Sequence, residues 1–352
     1  MSHTVRIRRA TTPIQVAEDR TILETALDAG INYPHSCRSG MCGTCKSRLL
    51  SGRVDMLPYE EFALTDEEKD SGLVLACRSR PRADCEVAWL EFDDAPNHPL
   101  ATVQCTVRHH ERMTHDVVRI VLDQGAGGPL AFSAGQFAQV TFDSLPRRDY
   151  SFASRPDEDT LEFHVRHIPG GQVSAYVEQT LKVGEPVSVH GPFGMAHLRE
   201  FHTGPILAVA GGSGLAPVKA IVETALARSM AQPIHLYLGM RAERDVYFEE
   251  RFRELTAAHP NLTLHVVLSE PDGDAPRGER RSGFVHEAVA ADITDLEGFK
   301  CYTAGPPVMV EALTRHLRGA GMRMDDIHAD AFYTEAELAE RGLKPAAGGV
   351  AT

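Results

Sequence analysis

The chain has 352 residues, enough for two or three domains that each bury a core of their own. Its formal net charge of −13 argues against a surface that follows nucleic-acid phosphates, and no apolar run approaches the ~18 residues that a membrane helix needs. Because the first residues also lack the apolar stretch of a signal peptide, we expect a cytoplasmic protein that binds neither nucleic acid nor membrane.

The first ninety or so residues combine strand and helix patterns. Apolar and polar residues alternate over 4–9 and again over 85–92, and residues 21–29 have helical spacing. A segment with two prolines and little apolar content follows, which indicates a linker. We therefore predict a small mixed domain over residues 1–93 and a linker over 94–101.

Four cysteines of this domain form an array. Three have the spacing C-x4-C-x2-C, and the fourth follows after 31 intervening residues. These residues are Cys37, Cys42, Cys45 and Cys77. The spacing is that of plant-type 2Fe-2S clusters, and interleaved glycines fit a loop that wraps closely around the metal. Zinc, which prefers paired short spacings, and four buried structural thiols are the alternatives.

The remaining cysteines and three arginines have simpler interpretations. The other cysteines stand in strand-like apolar contexts, where a thiol acts as a small buried hydrophobe. They are Cys85, Cys105 and Cys301. The arginines after the fourth array cysteine, Arg78, Arg80 and Arg82, are predicted to be solvated rather than to stabilise charge on a cluster.

Short alternating runs separated by turn residues recur between residues 102 and 190. This spacing predicts an antiparallel barrel in a domain that spans residues 102–200. Within it, Arg148, Tyr150 and Ser151 follow a strand and offer a cation, an aromatic ring and a hydroxyl. Tyr150 is an equally good candidate for a core aromatic residue.

Two glycines, Gly170 and Gly171, precede a predicted helix start in the same domain. The N-terminus of a helix presents unpaired N–H groups, which favour a pyrophosphate. A plain hairpin turn is the alternative for this glycine pair.

A strand, helix, strand pattern begins near residue 205 and indicates a parallel α/β domain over residues 201–333. Its first strand and helix, 205–210 and 216–228, are joined by a glycine-rich loop, as in dinucleotide-binding domains. Pro217 stands where the general motif has Gly or Ala, so a structural turn is the alternative. Residues 334–352 are predicted to form a tail with one short helix.

With these motifs in this order, the chain resembles the ferredoxin–NADP reductase superfamily, and within it the reductase components of Rieske ring-hydroxylating and related oxygenases. The resemblance covers residues 5–332. It implies an α+β multidomain protein with a β-grasp ferredoxin domain, an antiparallel β-barrel FAD domain and an α/β parallel-sheet nicotinamide-binding domain.

The resemblance also implies site residues. Those expected to bind FAD are Arg148, Tyr150, Ser151, Gly171, Gln172, Val173, Ser174 and Phe332, together with His164, Val165, Arg166 and His167, which would line the flavin through backbone contacts. Those expected to bind the nicotinamide nucleotide are Gly212, Ser213, Gly214, Arg241, Gly305, Pro306 and Met309. The chain departs from the family at Ala304, where relatives have a cysteine thought to help position the nicotinamide, and Cys301 is three residues too early to replace it.

The function expected from this resemblance is electron transfer from NADH to FAD, then to the 2Fe-2S cluster, and finally to a terminal oxygenase such as a Rieske aromatic-ring dioxygenase of aromatic hydrocarbon catabolism. NADH is preferred because Glu243 and Asp245 follow the second strand, although Arg241 would suit the 2′-phosphate of NADPH. A reductase for a deoxysugar dehydratase or a diiron monooxygenase is one alternative. A non-catalytic iron–sulfur redox sensor is another.

Overall fold

A computed structural model of the chain describes residues 2–8, 10–35, 38–90, 98–125, 128–271, 279–334 and 336–337. The described residues fall into two compact units, one with 2–90, 193–195 and 334–337 and one with 98–192 and 196–333. Half of the predicted linker, residues 94–97, and the predicted tail from residue 338 onward lie outside the described residues. Within the described ranges no helix has both the length and the apolar character needed to span a bilayer.

The first unit is a mixed sheet with a short helix against it. Its strands are β1 (Ser2–Ile7), β2 (Ile14–Ala17), β3 (Lys46–Ser51), β4 (Val54–Met56), β5 (Leu73–Leu75), β6 (Ser79–Pro81) and β7 (Cys85–Trp89), and its helices are α1 (Ile22–Asp28) and α2 (Asp66–Asp70). The main sheet has the order β2-β1-β7-β3-β5, with β1 and β7 parallel. Helix α1 begins at a capping box of Thr21 and Glu24, and it buries Ile22 and Leu23 in the core.

The second unit begins with an antiparallel sheet. Its elements are β8 (Ala101–Arg112), β9 (Val117–Gln124), β10 (Phe137–Phe142), β11 (Arg148–Ser151), β12 (Thr160–Arg166), α3 (Gln172–Gln179) and β13 (Pro186–Phe193). The strand order is β11-β10-β13-β8-β9-β12, and a bridge between Phe152 and Phe163 brings the two outer strands together. The predicted barrel is confirmed. Arg148 to Ser151 follow strand β10, as predicted, and they themselves form strand β11, which pairs with β10.

A parallel sheet with flanking helices completes the second unit. Its elements are β14 (Ile206–Gly211), α4 (Leu215–Ala227), β15 (Ile234–Met240), α5 (Glu249–Ala258), β16 (Leu262–Leu268), β17 (Arg281–Ser282), α6 (Val285–Asp292), β18 (Lys300–Gly305), α7 (Pro307–Gly319) and β19 (Ile327–Ala331). The order is β17-β16-β15-β14-β18-β19. The chain winds outward in both directions from β14, so a topological switch point lies at the carboxyl end of this strand.

This architecture confirms the predicted fold class. The predicted domain boundaries stay predictions, since the second unit contains both the barrel sheet and the parallel sheet.

Candidate functional site

The described cysteines of the array, Cys42, Cys45 and Cys77, belong to the first unit. Cys45 and Cys77 are buried, and the backbone N–H of Cys77 donates a hydrogen bond to the Sγ of Cys45 at 3.5 Å. Cys42 is partly exposed, and Cys37 lies outside the described residues. Backbone N–H groups directed at sulfur stabilise thiolate ligands, so these residues fit a 2Fe-2S cluster.

Two glycines of this loop occupy positions that other residues would not fit. Gly40 and Gly43 have left-handed φ angles of 79° and 71°. A Cβ on Gly40 would lie 2.9 Å from the Cδ of Arg78, and one on Gly43 would lie 3.0 Å from the carbonyl oxygen of Ala63. The predicted need for glycine in a close-wrapped loop is therefore confirmed at both positions.

The prediction that Arg78 is solvated is wrong. Its residue exposure is 2%, and its Nε donates to the carbonyl of Pro58 at 3.1 Å. The side chain packs against Gly40, and a backbone carbonyl replaces water as its partner. Arg82 does lie at the surface, where it forms an ion pair with Asp55 at 2.7 Å. The predicted burial of Cys85, Cys105 and Cys301 is confirmed.

Strand β11 carries the residues predicted to meet the flavin. Arg148 and Tyr150 pair with Val140 and Ala138 of β10, and side chains two apart in a strand share one face. Tyr150 is buried with its ring 6.2 Å from that of Phe142, and burial raises the pKa of its hydroxyl. The tyrosine therefore stays protonated and can donate a hydrogen bond. Its role, and those of Arg148 and Ser151, stay predictions.

Helix α3 starts where the sequence predicts, directly after the glycine pair. Gly170 has a φ of 77°, and a Cβ on Gly171 would lie 2.7 Å from the Oγ of Ser174. That Oγ accepts a hydrogen bond from the backbone N–H of Ile168 at 3.1 Å, which holds the turn. Gln172 is exposed and Val173 packs in the barrel core. No side chain caps the first turn, so its N–H groups fit a pyrophosphate group, and the expected FAD contact stays a prediction.

Successive side chains at the end of β12 lie in different surroundings. Val165 belongs to the barrel core, and His167 contacts Glu178 at 2.7 Å. Arg166 is held by Asp116, with its Nε 2.9 Å from the carboxylate. Its guanidinium lies near Gly212 of the glycine loop. The side chain of Arg166 therefore faces the parallel sheet, whereas the expected contact of this segment with flavin concerns its backbone and stays a prediction.

A cavity of about 390 Å³ opens at the carboxyl ends of the parallel strands, at the switch point. Its size is in the range of small-molecule and cofactor sites. Four of the residues expected to bind the nicotinamide nucleotide line it: Gly212, Arg241, Pro306 and Met309. Asp245, which was named in favour of NADH, also lines it. Further lining residues, which the sequence reasoning missed as nucleotide contacts, include Asp116, Arg166, Ser269, Phe284 and Val308. Ser269 directly follows β16, and position at a strand end is the signal that would have found it.

The glycine loop is packed against the neighbouring strand β18. A Cβ on Gly214 would lie 2.2 Å from the carbonyl oxygen of Ala304, and one on Gly305, whose φ is 139°, would lie 2.5 Å from that of Gly211. These glycines therefore allow two strand ends to approach each other below the cavity. Ser213 lies in the same loop. Phe332 donates its backbone N–H to the carbonyl of Gly305 at 2.9 Å.

The departure at Ala304 has no replacement on the same strand. Ala304 is buried opposite Ala210, and Cys301 is fully buried opposite Leu207. Side chains three positions apart in a strand point to opposite faces. Burial also raises the pKa of the Cys301 thiol, which keeps it protonated.

Three comparisons with known proteins agree with this geometry. The 2Fe-2S iron-sulfur cluster binding domain matches residues 5–82, the oxidoreductase FAD-binding domain matches 104–198, and the oxidoreductase NAD-binding domain matches 208–315. These matches confirm the predicted 2Fe-2S, FAD and nicotinamide cofactors.

Relatives match over nearly the whole length. The chain is 40% identical over 314 residues to the ferredoxin–NAD(P)(+) reductase component of the naphthalene 1,2-dioxygenase system of Pseudomonas putida, covering 89% of this chain and 93% of that one. A Ralstonia reductase component of naphthalene 1,2-dioxygenase/salicylate 5-hydroxylase systems is 42% identical over 314 residues, which again cover 89% of this chain and 93% of that one. The crystal structure of the Amycolatopsis cytochrome P450 reductase GcoB has a TM-score of 0.73 and 37% identity, covering 94% of this chain and 98% of that one.

Proposed function

Since the chain belongs to the ferredoxin–NAD(P) reductase components of oxygenase systems, we propose that it oxidises NADH and delivers the electrons to a terminal oxygenase. When bound, NADH supplies a hydride to FAD, and the flavin passes the electrons one at a time to the 2Fe-2S cluster. The observation that carries this proposal is the cavity at the switch point, which the glycine loop and Pro306 share with Arg166 of the barrel.

The chain's own residues bind and orient in this scheme. Arg166, held by Asp116, brings a fixed positive charge to the cavity, where a nucleotide pyrophosphate needs one. The first turn of α3 offers N–H groups to the phosphates of FAD. Buried Cys45 and Cys77, together with Cys42 and Cys37, are proposed to ligate the cluster.

The test is steady-state turnover of purified protein loaded with FAD and iron. We expect NADH-dependent reduction of both ferricyanide and cytochrome c. A loaded protein that reduces neither acceptor would favour the redox sensor instead.

NADH is the proposed nucleotide. Of the two acidic residues named in its favour, Asp245 lines the cavity, whereas Glu243 is engaged elsewhere. Glu243 forms an ion pair with Arg280, while Arg241 is exposed at the cavity. We expect a KM for NADH below that for NADPH, and Arg241→Ala should widen the difference by removing a cation suited to the 2′-phosphate. Equal KM values for both nucleotides in the unmodified protein would contradict this preference.

The proposed partner is a Rieske aromatic-ring dioxygenase, supported by the two dioxygenase-system relatives. The P450 reductase is similar to this chain at nearly the same identity, which makes a cytochrome P450 the second candidate. Reconstituting the reductase with one purified oxygenase of each class, and measuring product formed per NADH, distinguishes them. Coupled turnover with the P450 alone would overturn the dioxygenase assignment.

A further inference from the structure

A polar cluster is buried within the second unit, between the barrel and the parallel sheet. We define the His164 cluster as Arg119 of β9, Glu162 and His164 of β12, Lys219 of α4, and Tyr247 between β15 and α5. Glu162, His164, Lys219 and Tyr247 are each no more than 5% exposed. Sequence reasoning selected only His164 among these residues, and for backbone contacts rather than its side chain.

A buried carboxylate is at the centre of the cluster. Glu162 accepts from Arg119 at 2.8 Å and from the Nε2 of His164 at 3.0 Å, and the Nζ of Lys219 lies 3.4 Å away. Burial by itself would raise the pKa of Glu162, but the hydrogen bond from His164 and the charges of Lys219 and Arg119 lower it well below its usual range. Glu162 is therefore ionised, and it holds the Nε2–H of His164 as a donor.

The other ring nitrogen of His164 faces Tyr247. Its Nδ1 lies 3.1 Å from the Tyr247 hydroxyl, and burial lowers the pKa of His164, so the ring is neutral. With Nε2 as the donor to Glu162, Nδ1 is an acceptor. The same Tyr247 hydroxyl donates to the carbonyl oxygen of Gly212 at 3.2 Å. The Tyr247 hydroxyl has one hydrogen for these two acceptors, so that hydrogen is shared between the Nδ1 of His164 on the barrel strand and the carbonyl oxygen of Gly212 in the glycine loop.

Phe248, the residue after Tyr247, packs against the ring of His164. Phe248 has a left-handed φ of 59° at the start of α5, and its ring stacks on His164 with centroids 5.4 Å apart and planes 19° apart. The cations of Arg119 and Lys219 lie 5.8 Å and 5.5 Å from the centre of the same ring. A bulky residue in a left-handed conformation is kept only where its surroundings enforce it.

From these contacts we propose that Tyr247 is a positioning residue for the nicotinamide nucleotide. Its hydroxyl fixes the Gly212 carbonyl, and His164, oriented by Glu162, ties the tyrosine to the barrel strand. Gly212 lines the cavity with a φ of 53°. Because a glycine has no Cβ, its peptide groups can rotate unless another group restrains them. The inference rests on nucleotide binding at this loop, which is part of the proposed function.

The test is Tyr247→Phe in the fully loaded protein, which removes only the hydroxyl. We expect the KM for NADH to rise about two- to tenfold, the range given by losing one hydrogen bond, while kcat stays within about twofold. Tyr237→Phe is the matched control, since Tyr237 is fully buried in the same unit and donates to Asp292 at 2.9 Å, away from the loop. The control should keep the unmodified KM.

A second pair of variants tests the link through His164. His164→Gln keeps an amide that can donate to Glu162 and accept from Tyr247, so its KM for NADH should stay within about twofold of the unmodified value, since a retained hydrogen bond loses little. His164→Leu, which keeps neither group, should raise KM as Tyr247→Phe does. An unchanged KM in both Tyr247→Phe and His164→Leu, or an equal rise in Tyr237→Phe, would overturn the inference. Failure of the unmodified loaded protein to oxidise NADH would instead overturn the proposed function.

Discussion

At the scale of single residues, neighbouring positions that look alike in the sequence have different environments. Arg78 and Arg82 follow the same cysteine, yet one is buried beneath Gly40 and the other pairs with Asp55 at the surface. Cys45 and Cys105 are both buried thiols, but only Cys45 receives a hydrogen bond from the backbone of another cysteine of the array. Spacing in the array, rather than burial, separates ligands from structural thiols.

The first prediction concerns the fourth cysteine of the array. Cys77→Ser should abolish the visible absorbance of the cluster and the reduction of cytochrome c, because a hydroxyl is a poor ligand for iron in place of a thiolate. NADH-dependent reduction of ferricyanide through the flavin should persist. Both activities are measured on the same FAD-loaded preparation.

Cys105→Ser is the control for this experiment. Cys105 is equally buried but lies in the barrel, where its Sγ is 3.9 Å from the carbonyl of Val103, an acceptor that a serine hydroxyl can use. It should keep both activities. Cytochrome c reduction at the unmodified rate in Cys77→Ser would show that electrons do not leave through this cluster.

At the scale of elements, strand ends bring the site together. The ends of β14 and β18 approach so closely that Gly214 has no room for a side chain beside Ala304. This contact is between residues ninety positions apart, so a glycine-rich motif predicts the loop but not the reason for each glycine. The order strand, loop, helix in the sequence predicted the loop. Only the structure shows that Ala304 of β18 is the neighbour that excludes a side chain at Gly214.

The second prediction follows from that contact. Gly214→Ala would place a Cβ 2.2 Å from a backbone oxygen, so the loop or β18 must shift. We expect a loss of about 1–3 kcal/mol of unfolding free energy and a higher KM for NADH. Gly319→Ala is the control, because Gly319 ends α7 with open space around its Cβ direction. A Gly214→Ala protein with unmodified stability and KM would contradict the close packing of the two strands.

The third prediction concerns the pH dependence of stability through Glu162. Because the folded pKa of Glu162 lies below its ordinary value of 4.5, its stabilising contribution is complete above that pH and is lost as the pH falls below it. His164, whose folded pKa is lowered from 6.5, adds a loss that begins at higher pH, since the unfolded chain takes up its proton first. Acid should therefore destabilise the protein progressively.

Glu162→Gln separates the two contributions. At pH 7 the variant should lose about 1–3 kcal/mol, because Lys219 and Arg119 lose the Glu162 carboxylate but keep Glu223 and Glu111 as partners. Below pH 4.5 its Tm should fall less steeply than that of the unmodified protein. Glu287→Gln, at an exposed helix start, is the control and should keep the steep decline. Identical acid limbs for all three proteins would show that Glu162 is not ionised in the fold.

At the scale of the whole molecule, the sequence predicted the fold class and cofactors because each domain has a local pattern of its own. Each pattern lies within a short stretch of sequence. These patterns are the cysteine spacing, the alternating runs of the barrel, and the strand, loop, helix order of the parallel α/β domain. The cavity lining and the His164 cluster are not, because Asp116, Arg166 and Tyr247 meet only when the barrel and the parallel sheet fold against each other. Burial of Arg78 was missed because its contacts, Gly40 and Pro58, are distant from it in the sequence of the first unit.

The most direct test of the account is an anaerobic titration of the loaded protein with NADH, followed by flavin absorbance and by electron paramagnetic resonance of the cluster. We predict that NADH bleaches the flavin and produces the resonance of a reduced 2Fe-2S cluster, and that Cys77→Ser shows only the bleaching. Bleaching without any cluster resonance in the unmodified, fully loaded protein would contradict the route from nicotinamide through flavin to cluster.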